Sequence, residues 1–276
     1  MQLENFEVGG DNPLFVIAGP CVIESETLIM ETATALKELG EKVGVSLIFK
    51  SSFDKANRSS MDSYRGPGIE EGLRILERVK TELTMPVLTD VHEDTPLDEV
   101  ASVVDVMQTP AFLCRQTNFI LNVCAQGKPV NIKKGQFLAP LDMLQVAKKA
   151  KSTGNEQIMV CERGASFGYN NLVVDMLGFS VMKSFGYPLL FDVTHALQRP
   201  GGMGDAAAGR RESLRELALS GMSQKIAGLF LEAHPEPEKA LCDGPCALRL
   251  NQLEPFLQQM KAMDDLVKTF EPLATS

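Results

Sequence analysis

Eight short apolar runs recur along the chain, and each leads to a residue able to carry chemistry. Leu14-Phe15-Val16-Ile17 leads to Cys21, Leu47-Ile48-Phe49 to Lys50, Val87-Leu88-Thr89 to Asp90, and Val104-Asp105-Val106-Met107 to Gln108. Val130-Asn131-Ile132 leads to Lys133, Ile158-Met159-Val160-Cys161 to Arg163, Leu189-Leu190-Phe191-Asp192-Val193 to His195, and Leu229-Phe230-Leu231 to Glu232. A strand that is apolar on both faces belongs in a parallel sheet covered by helices, and helical periodicity fills the intervals. Eight such units over roughly 250 residues fit an α/β fold, the (β/α)8 TIM barrel, whose active site lies at the C-terminal ends of its strands. That is where the polar residues fall. The 276 residues suit one barrel domain, 1–276, and leave little for a second.

Met1 to Pro13, with Phe6 and Val8 ahead of Gly9-Gly10, reads as a short N-terminal hairpin closing the barrel bottom. Helices are expected over Ser25–Val43, Gly68–Leu83, Pro96–Val103, Gln116–Gln126, Pro140–Thr153, Leu172–Ser184, Glu212–Ser220 and Leu250–Phe270. Ser25 suits a cap with Glu26 in the first turn, and Pro96 and Pro140 stand where a missing N–H costs little. The segments Ser51–Pro67 and Ala196–Arg211 are long for barrel loops, which suits lids or binding loops.

The net charge of −9 argues against a nucleic-acid partner. No apolar run has the length of a membrane span, and the N-terminus lacks the basic-then-apolar pattern of a signal peptide. Six scattered cysteines suit reduced thiols in a cytoplasm. In so acidic a chain, Lys50, Lys55, Arg58, Arg115, Lys133 and Arg163 nearly all fall at strand ends or in the loops just after them. If the barrel forms, these cations converge on one mouth, and an anionic, phosphorylated ligand follows.

The run Lys55-Ala56-Asn57-Arg58-Ser59-Ser60 offers cations, an amide and hydroxyls to phosphate oxygens; alone it would be a solvated turn. A rim lysine such as Lys133 could form a Schiff base, but with so many cations nearby, ligand binding is the better reading. Asp90 is placed to bind a hydroxyl. Cys21, His195, Glu232 and Asp243 come from the ends of runs one, seven and eight, which are neighbours in a closed barrel. They suit Zn²⁺ or Fe²⁺, admit Mn²⁺ and disfavour Mg²⁺. With no local ligand spacing, a buried free Cys beside a hydrogen-bonded His stands level with that reading. His92 and His234 read as structural, Cys114, Cys124 and Cys161 as packing, and Cys242 and Cys246 receive no role.

Longer motifs carry a resemblance. Lys50 to Arg58 with Ser59-Ser60, Tyr64-Arg65-Gly66-Pro67-Gly68, Gln108-Thr109-Pro110-Ala111-Phe112-Leu113 and Asn131-Ile132-Lys133-Lys134 belong to it. So do Phe167-Gly168-Tyr169-Asn170-Asn171-Leu172, Phe191 to His195, Glu232-Ala233-His234-Pro235 and Cys242-Asp243-Gly244-Pro245. Together they resemble the 3-deoxy-D-manno-octulosonate 8-phosphate synthases along essentially the whole chain. The resemblance implies a transferase of lipopolysaccharide biosynthesis, in a Gram-negative bacterium. It would condense phosphoenolpyruvate with D-arabinose 5-phosphate and water, releasing phosphate by C–O cleavage. By motif, Lys55, Gln108, the backbone near Ala111, Lys133 and Arg163 would hold phosphoenolpyruvate, with Lys50 against it. Asn57, Arg58 and Ser59 would take the sugar phosphate, and Arg115 would reach a neighbouring subunit's sugar phosphate, implying a homotetramer.

The related 3-deoxy-D-arabino-heptulosonate 7-phosphate synthases, which use erythrose 4-phosphate, carry Lys-Pro-Arg-Thr where this chain has Lys-Ala-Asn-Arg-Ser. That difference favours the five-carbon sugar. A sialic-acid-type synthase, a Schiff-base aldolase and a catalytically silent sugar-phosphate binder are weaker alternatives. Pro20-Cys21 and Pro200-Gly201-Gly202-Met203-Gly204-Asp205 resemble the metal-dependent class, so Cys21, His195, Glu232 and Asp243 are the implied ligands. Cys21, Lys50, His195 and Asp243 are the implied catalytic group. Cys242 departs from that class and resembles metal-free members.

Overall fold

The computed structural model describes residues 1–3, 6–58, 60–200, 208–271 and 273. A hairpin of β1 (Gln2–Leu3) and β2 (Phe6–Glu7) precedes β3 (Phe15–Gly19), β4 (Ser46–Lys50), β5 (Val87–Asp90), β6 (Val106–Thr109), β7 (Val130–Lys133) and β8 (Ile158–Glu162). A second hairpin, β9 (Ala165–Ser166) and β10 (Leu172–Val173), comes before β11 (Leu189–Asp192), β12 (Gly228–His234) and the short β13 (Leu248–Arg249). Strands β3 to β8, β11 and β12 pair in parallel with their chain neighbours, and β12 also pairs with β3, which closes the barrel.

The helices are α1 (Glu26–Val43), α2 (Ile69–Leu83), α3 (Leu97–Val103), α4 (Thr117–Cys124), α5 (Met143–Lys151), α6 (Met176–Lys183), α7 (Val193–Ala196), α8 (Leu214–Met222) and α9 (Leu253–Val267). Ser25 caps α1 as expected, its hydroxyl accepting from the Leu28 N–H at 3.2 Å. Gly44, at φ 75°, ends the same helix in the left-handed conformation that glycine tolerates.

Among the boundaries that differ from the sequence expectation, three have a visible cause. Leu172-Val173 is a strand rather than a helix start, because it pairs with Ala165-Ser166; α6 begins only after Asp175, whose side chain accepts from the Leu177 N–H. Val193 leaves its strand for a helical turn, because Asp192 caps that turn by accepting from the His195 N–H at 2.9 Å. Val104-Asp105 precedes β6 instead of belonging to it. The Asp105 carboxylate accepts from the Val87 N–H at 2.9 Å and pairs with Lys80, tying down the start of β5.

Alternation along the strands sorts the side chains. Outward residues such as Val16, Ala18, Leu47, Phe49, Ile132, Val160, Phe191 and Leu231 join Ile29, Leu36, Leu76, Ile120 and Leu257 of the surrounding helices in the main core. Inward residues Phe15, Ile17, Ile48, Leu88, Val106, Met159, Cys161, Leu190 and Phe230 form a second core with Leu3 and Val8 of the N-terminal hairpin. The hairpin therefore plugs the bottom, as expected. Fully burying one such aliphatic or Phe side chain stabilises by roughly 1.5–3 kcal/mol.

A step of two residues returns a strand to the same face. From Ile48, Leu88, Val106, Asn131, Leu190 and Phe230 that step reaches Lys50, Asp90, Gln108, Lys133, Asp192 and Glu232, all buried. The interior thus changes from apolar to polar within one pleat. At Gly19 a Cβ would lie 2.0 Å from the Lys50 carbonyl oxygen, so only glycine lets β3 and β4 approach beneath that polar layer.

Candidate active site

The polar layer opens into a cavity at the C-terminal ends of the strands, lined by Lys50, Lys55, Arg58, Lys133 and Arg163 together with Asp90, Asp192 and Asp243. The lysines are partnered. Lys133 Nζ lies 2.6 Å from Asp192 Oδ2 and 3.1 Å from the centre of the Phe230 ring, a cation–π contact. Lys50 Nζ donates to the Cys21 carbonyl at 2.7 Å and stands 3.5 Å from Glu232 Oε1. Lys55 Nζ is 4.0 Å from Asp90 Oδ2, which His92 Nε2 approaches to 3.5 Å.

The two arginines differ. Arg163 donates from Nη2 to Gln198 Oε1 at 3.1 Å, while its buried Nη1 has no hydrogen-bond partner. Arg58 directs Nη1 to Cys242 Sγ at 2.7 Å, and its buried Nε is likewise unpartnered. Among the described residues neither arginine forms an ion pair. Gln108 Oε1 is engaged by Asn131 Nδ2 at 2.8 Å, so Gln108 turns N–H donors to the cavity. The mouth is therefore built to receive anions.

Electrostatics holds these charges in place. Burial raises the Asp192 carboxyl, but His195 and then Lys133 outweigh it and hold it well below the usual carboxylate range. At Asp90 burial is likewise overcome, by Lys55, Lys50 and His92 and by the Ser52 hydroxyl donating to it. Burial opposes the Lys55 charge, yet Asp90 foremost among its neighbours raises the ammonium well above its ordinary value.

Beside the cations lies a donor cluster. Cys21 Sγ is 3.4 Å from Asp243 Oδ2 and 2.9 Å from Cys242 Sγ. His195 Nε2 is 3.5 Å from Glu232 Oε1 and 3.7 Å from Asp243 Oδ2. Cys21, Cys242 and Asp243 form one group whose ligand atoms lie within 4.8 Å of one another, and His195, Glu232 and Asp243 form another, so Asp243 joins the two. Two observations fit a divalent cation here. Glu232 is fully buried and its Oε2 has no hydrogen-bond partner among the described residues, a costly arrangement unless a cation meets it. Asp243 is also held at φ 50°, a strained backbone of the kind that gathers at functional sites. Asp192 Oδ2 lies 2.8 Å from His195 Nδ1, which leaves Nε2 to face the cluster. Burial, then Cys242, pushes the Cys21 thiol well up in the absence of a cation.

Of the residues expected from sequence, Lys50, Lys55, Asn57, Arg58, Asp90 and Gln108 line the cavity, as do Ala111, Lys133, Arg163, His195 and Asp243. Cys21 and Glu232 adjoin it through Asp243 and His195. Ser59 and the stretch from Gly201 to Asp205 lie outside the described residues. Arg115 corrects the expectation that six cations converge: it is exposed and does not line this mouth, because it sits beyond the turn of Ala111–Leu113 that follows β6.

Cys242 corrects a second expectation, since a residue given no role belongs to the donor cluster. Its one signal in sequence was adjacency to Asp243. Asp192 was also missed, although its place at the end of an apolar run resembled that of Asp90. Gln136 and Gln198 line the cavity from loops without any sequence signal.

Fold and site define a TIM-barrel enzyme for anionic substrates, with a cluster of metal-competent side chains beside the anion pocket. The model of the DAHP synthetase I family matches residues 2–269, and the chain belongs to that family. It is 62% identical over 271 residues to the 2-dehydro-3-deoxyphosphooctonate aldolase of Dichelobacter nodosus, covering 98% of each chain. The protein of that name from Thioalkalivibrio sulfidiphilus is 62% identical over 268 residues (97% of this chain, 96% of the relative). The one from Francisella philomiragia is 60% identical over 269 residues, 98% of each.

Proposed function

We propose that this chain condenses phosphoenolpyruvate with D-arabinose 5-phosphate and water, giving 3-deoxy-D-manno-octulosonate 8-phosphate and inorganic phosphate. The relatives' name describes the same eight-carbon 2-keto-3-deoxy acid phosphate. The observation that carries the reading is the pair of buried arginine donors, on Arg58 and Arg163, without ion-pair partners among the described residues, in one cavity with three lysines. Two phosphorylated substrates need two such anchors. Charge-assisted hydrogen bonds of roughly 1.5–3 kcal/mol each offset the repulsion between them. A four-carbon aldose phosphate is the alternative, and the sequence at Asn57-Arg58 speaks against it.

Lys55, Lys133, Arg163 and Gln108, with the backbone at Ala111, hold phosphoenolpyruvate, and Lys50 lies beneath it. Asn57 and Arg58 take the sugar phosphate, and Asp90 a sugar hydroxyl. Carbon C3 of phosphoenolpyruvate attacks the sugar aldehyde, water adds at C2, and the tetrahedral adduct expels phosphate with C–O cleavage. Cys21, His195, Glu232 and Asp243 would hold a divalent ion such as Zn²⁺, Fe²⁺ or Mn²⁺, which supplies electrophilic polarisation of an oxygen in that cavity. Asp192 and Lys133 keep His195 oriented throughout.

A homotetramer, with Arg115 reaching a neighbour's sugar phosphate, accounts for the exposed Phe112, Phe137, Leu141 and Phe167; light scattering should give four times the chain mass. Six free thiols and the phosphorylated substrates suit a cytoplasmic enzyme. No helix among the described residues is long and apolar enough to cross a membrane.

The test is phosphate release from phosphoenolpyruvate plus arabinose 5-phosphate, before and after chelation and with Zn²⁺ or Mn²⁺ returned. Turnover lost on chelation and restored by metal is expected. Turnover indifferent to chelator removes the metal, and turnover only with erythrose 4-phosphate removes the substrate assignment.

A further inference from the structure

We infer that Cys242 is a second sulfur ligand of the divalent ion held by Cys21, His195, Glu232 and Asp243, so that this chain builds a two-thiolate centre selective for soft ions. The inference rests on the metal reading above and extends it to a residue outside the four-ligand set.

The geometry comes first. Two sulfurs bound to one tetrahedral Zn²⁺ at about 2.3 Å stand about 3.7 Å apart; Cys21 Sγ and Cys242 Sγ are 2.9 Å apart, so a further separation of less than about 1 Å admits the ion between them. Both are buried and both group with the Asp243 carboxylate, which is also the carboxylate that faces His195 and Glu232. No other cysteine among the described residues joins a metal-competent cluster. The pair is supplied from distant parts of the chain, Cys21 following β3 and Cys242 lying between β12 and β13, so only barrel closure brings them together.

Charge balance comes second. Two thiolates, Glu232 and Asp243 place four negative charges in one buried cluster, which needs cations. Arg58 supplies one directly, its Nη1 lying 2.7 Å from Cys242 Sγ, and Lys50 another at Glu232. A divalent ion meets the remainder, and the unpartnered Glu232 Oε2 marks where negative charge is still unmet. Each thiol releases its proton to solvent as it binds.

Ligand chemistry comes third. Thiolates select softer ions, so two sulfurs shift the centre toward Zn²⁺ and away from Mn²⁺, whereas one sulfur among nitrogen and oxygen donors admits both. The contact with Arg58 adds a consequence: the ion and the proposed sugar-phosphate anchor touch the same sulfur.

The experiment is a Co²⁺ titration of the full, reduced, metal-stripped chain, reading the thiolate-to-cobalt charge-transfer absorption in the near ultraviolet. Cys242→Ser and Cys21→Ser should each retain about half the wild-type intensity and the double variant none, because intensity follows the number of sulfurs bound. In competition, Cys242→Ser should also lose at least about tenfold of the Zn²⁺-over-Mn²⁺ preference. Full intensity in Cys242→Ser with loss of the band in Cys21→Ser overturns the inference while leaving the metal centre standing. No band in the wild type overturns the metal reading and the inference with it. Should Cys242→Ser fail to fold, X-ray absorption on the Zn²⁺-loaded wild type decides: two sulfur scatterers support the inference, and one overturns it.

Discussion

At the bottom of the barrel, Phe15, Ile48, Leu88, Val106, Leu190 and Phe230 meet Leu3 and Val8 of the N-terminal hairpin. One pleat higher on the same strands, Lys50, Asp90, Gln108, Asp192 and Glu232 are also buried; Lys50 pairs by charge with Glu232, Asp90 with Lys55 and Asp192 with Lys133. The bottom is stabilised by area removed from water, a non-directional term that tolerates exchange of one apolar side chain for another of similar volume. The top gains little net stability from its ion pairs, because desolvation offsets the attraction, yet losing one partner strands a buried charge. Burial serves the fold at one end; at the other it serves to hold donors ready for an anion.

That contrast is open to attack, most forcefully at Lys133. Lys133→Met takes from Asp192 its 2.6 Å lysine partner, and removing one partner of a buried pair costs about 3–5 kcal/mol. Urea unfolding should show that loss, and phosphate release should fall by about ten- to a hundredfold, the worth of one charge-assisted hydrogen bond of roughly 1.5–3 kcal/mol to substrate. Pairing it with Asp192→Leu should return most of the stability and none of the turnover. Recovery of both would mean that the top layer is structural.

At the bottom the expected pattern is reversed. Phe15→Ala should remove about 3–5 kcal/mol of stability, read from the urea midpoint. Turnover per folded molecule should stay within about twofold, because distant sites act nearly independently. A parallel fall in turnover would show that the plug and the mouth are one mechanical unit.

The smallest effect separates the ends by pH. Asp90 and Asp192 are held below their ordinary values, so the stability they contribute is present above the unfolded carboxylate pKa of about 3.9 and is lost as pH falls through their lowered folded values. Cys161, in the apolar interior, is pushed up by burial to about 12. Its contribution is complete below the unfolded thiol pKa of about 8.5 and is lost as pH rises toward the folded value. Asp192→Asn should flatten the acid limb of a stability–pH profile, and Cys161→Ala should make the alkaline limb shallower. Equal response of both limbs to either change would sink the distinction.

The barrel and the ring of strand-end residues were legible because both are carried by local alternation: an inward position stays inward after two residues. Boundaries at Leu172, Val193 and Val104 were not, because Asp192 and Asp105 spend their carboxylates on backbone N–H groups and Leu172 finds a strand partner at Ser166. Five of the six cations reached the mouth; Arg115 did not, since its place depends on how the chain turns after β6.

By itself, then, the order of residues determined the number of barrel strands, the face their side chains take, and the anionic character of the ligand, all properties of neighbours a few positions apart. Only the closed barrel decided that Cys21 meets Cys242, that Asp192, already beside His195, also serves Lys133, and that Arg58 and Arg163 have no ion-pair partner among the described residues. Lys133 and Asp192 are 59 positions apart, and Cys21 and Cys242 are 221. No local pattern encodes a long-range distance; packing eight strands into one ring sets it.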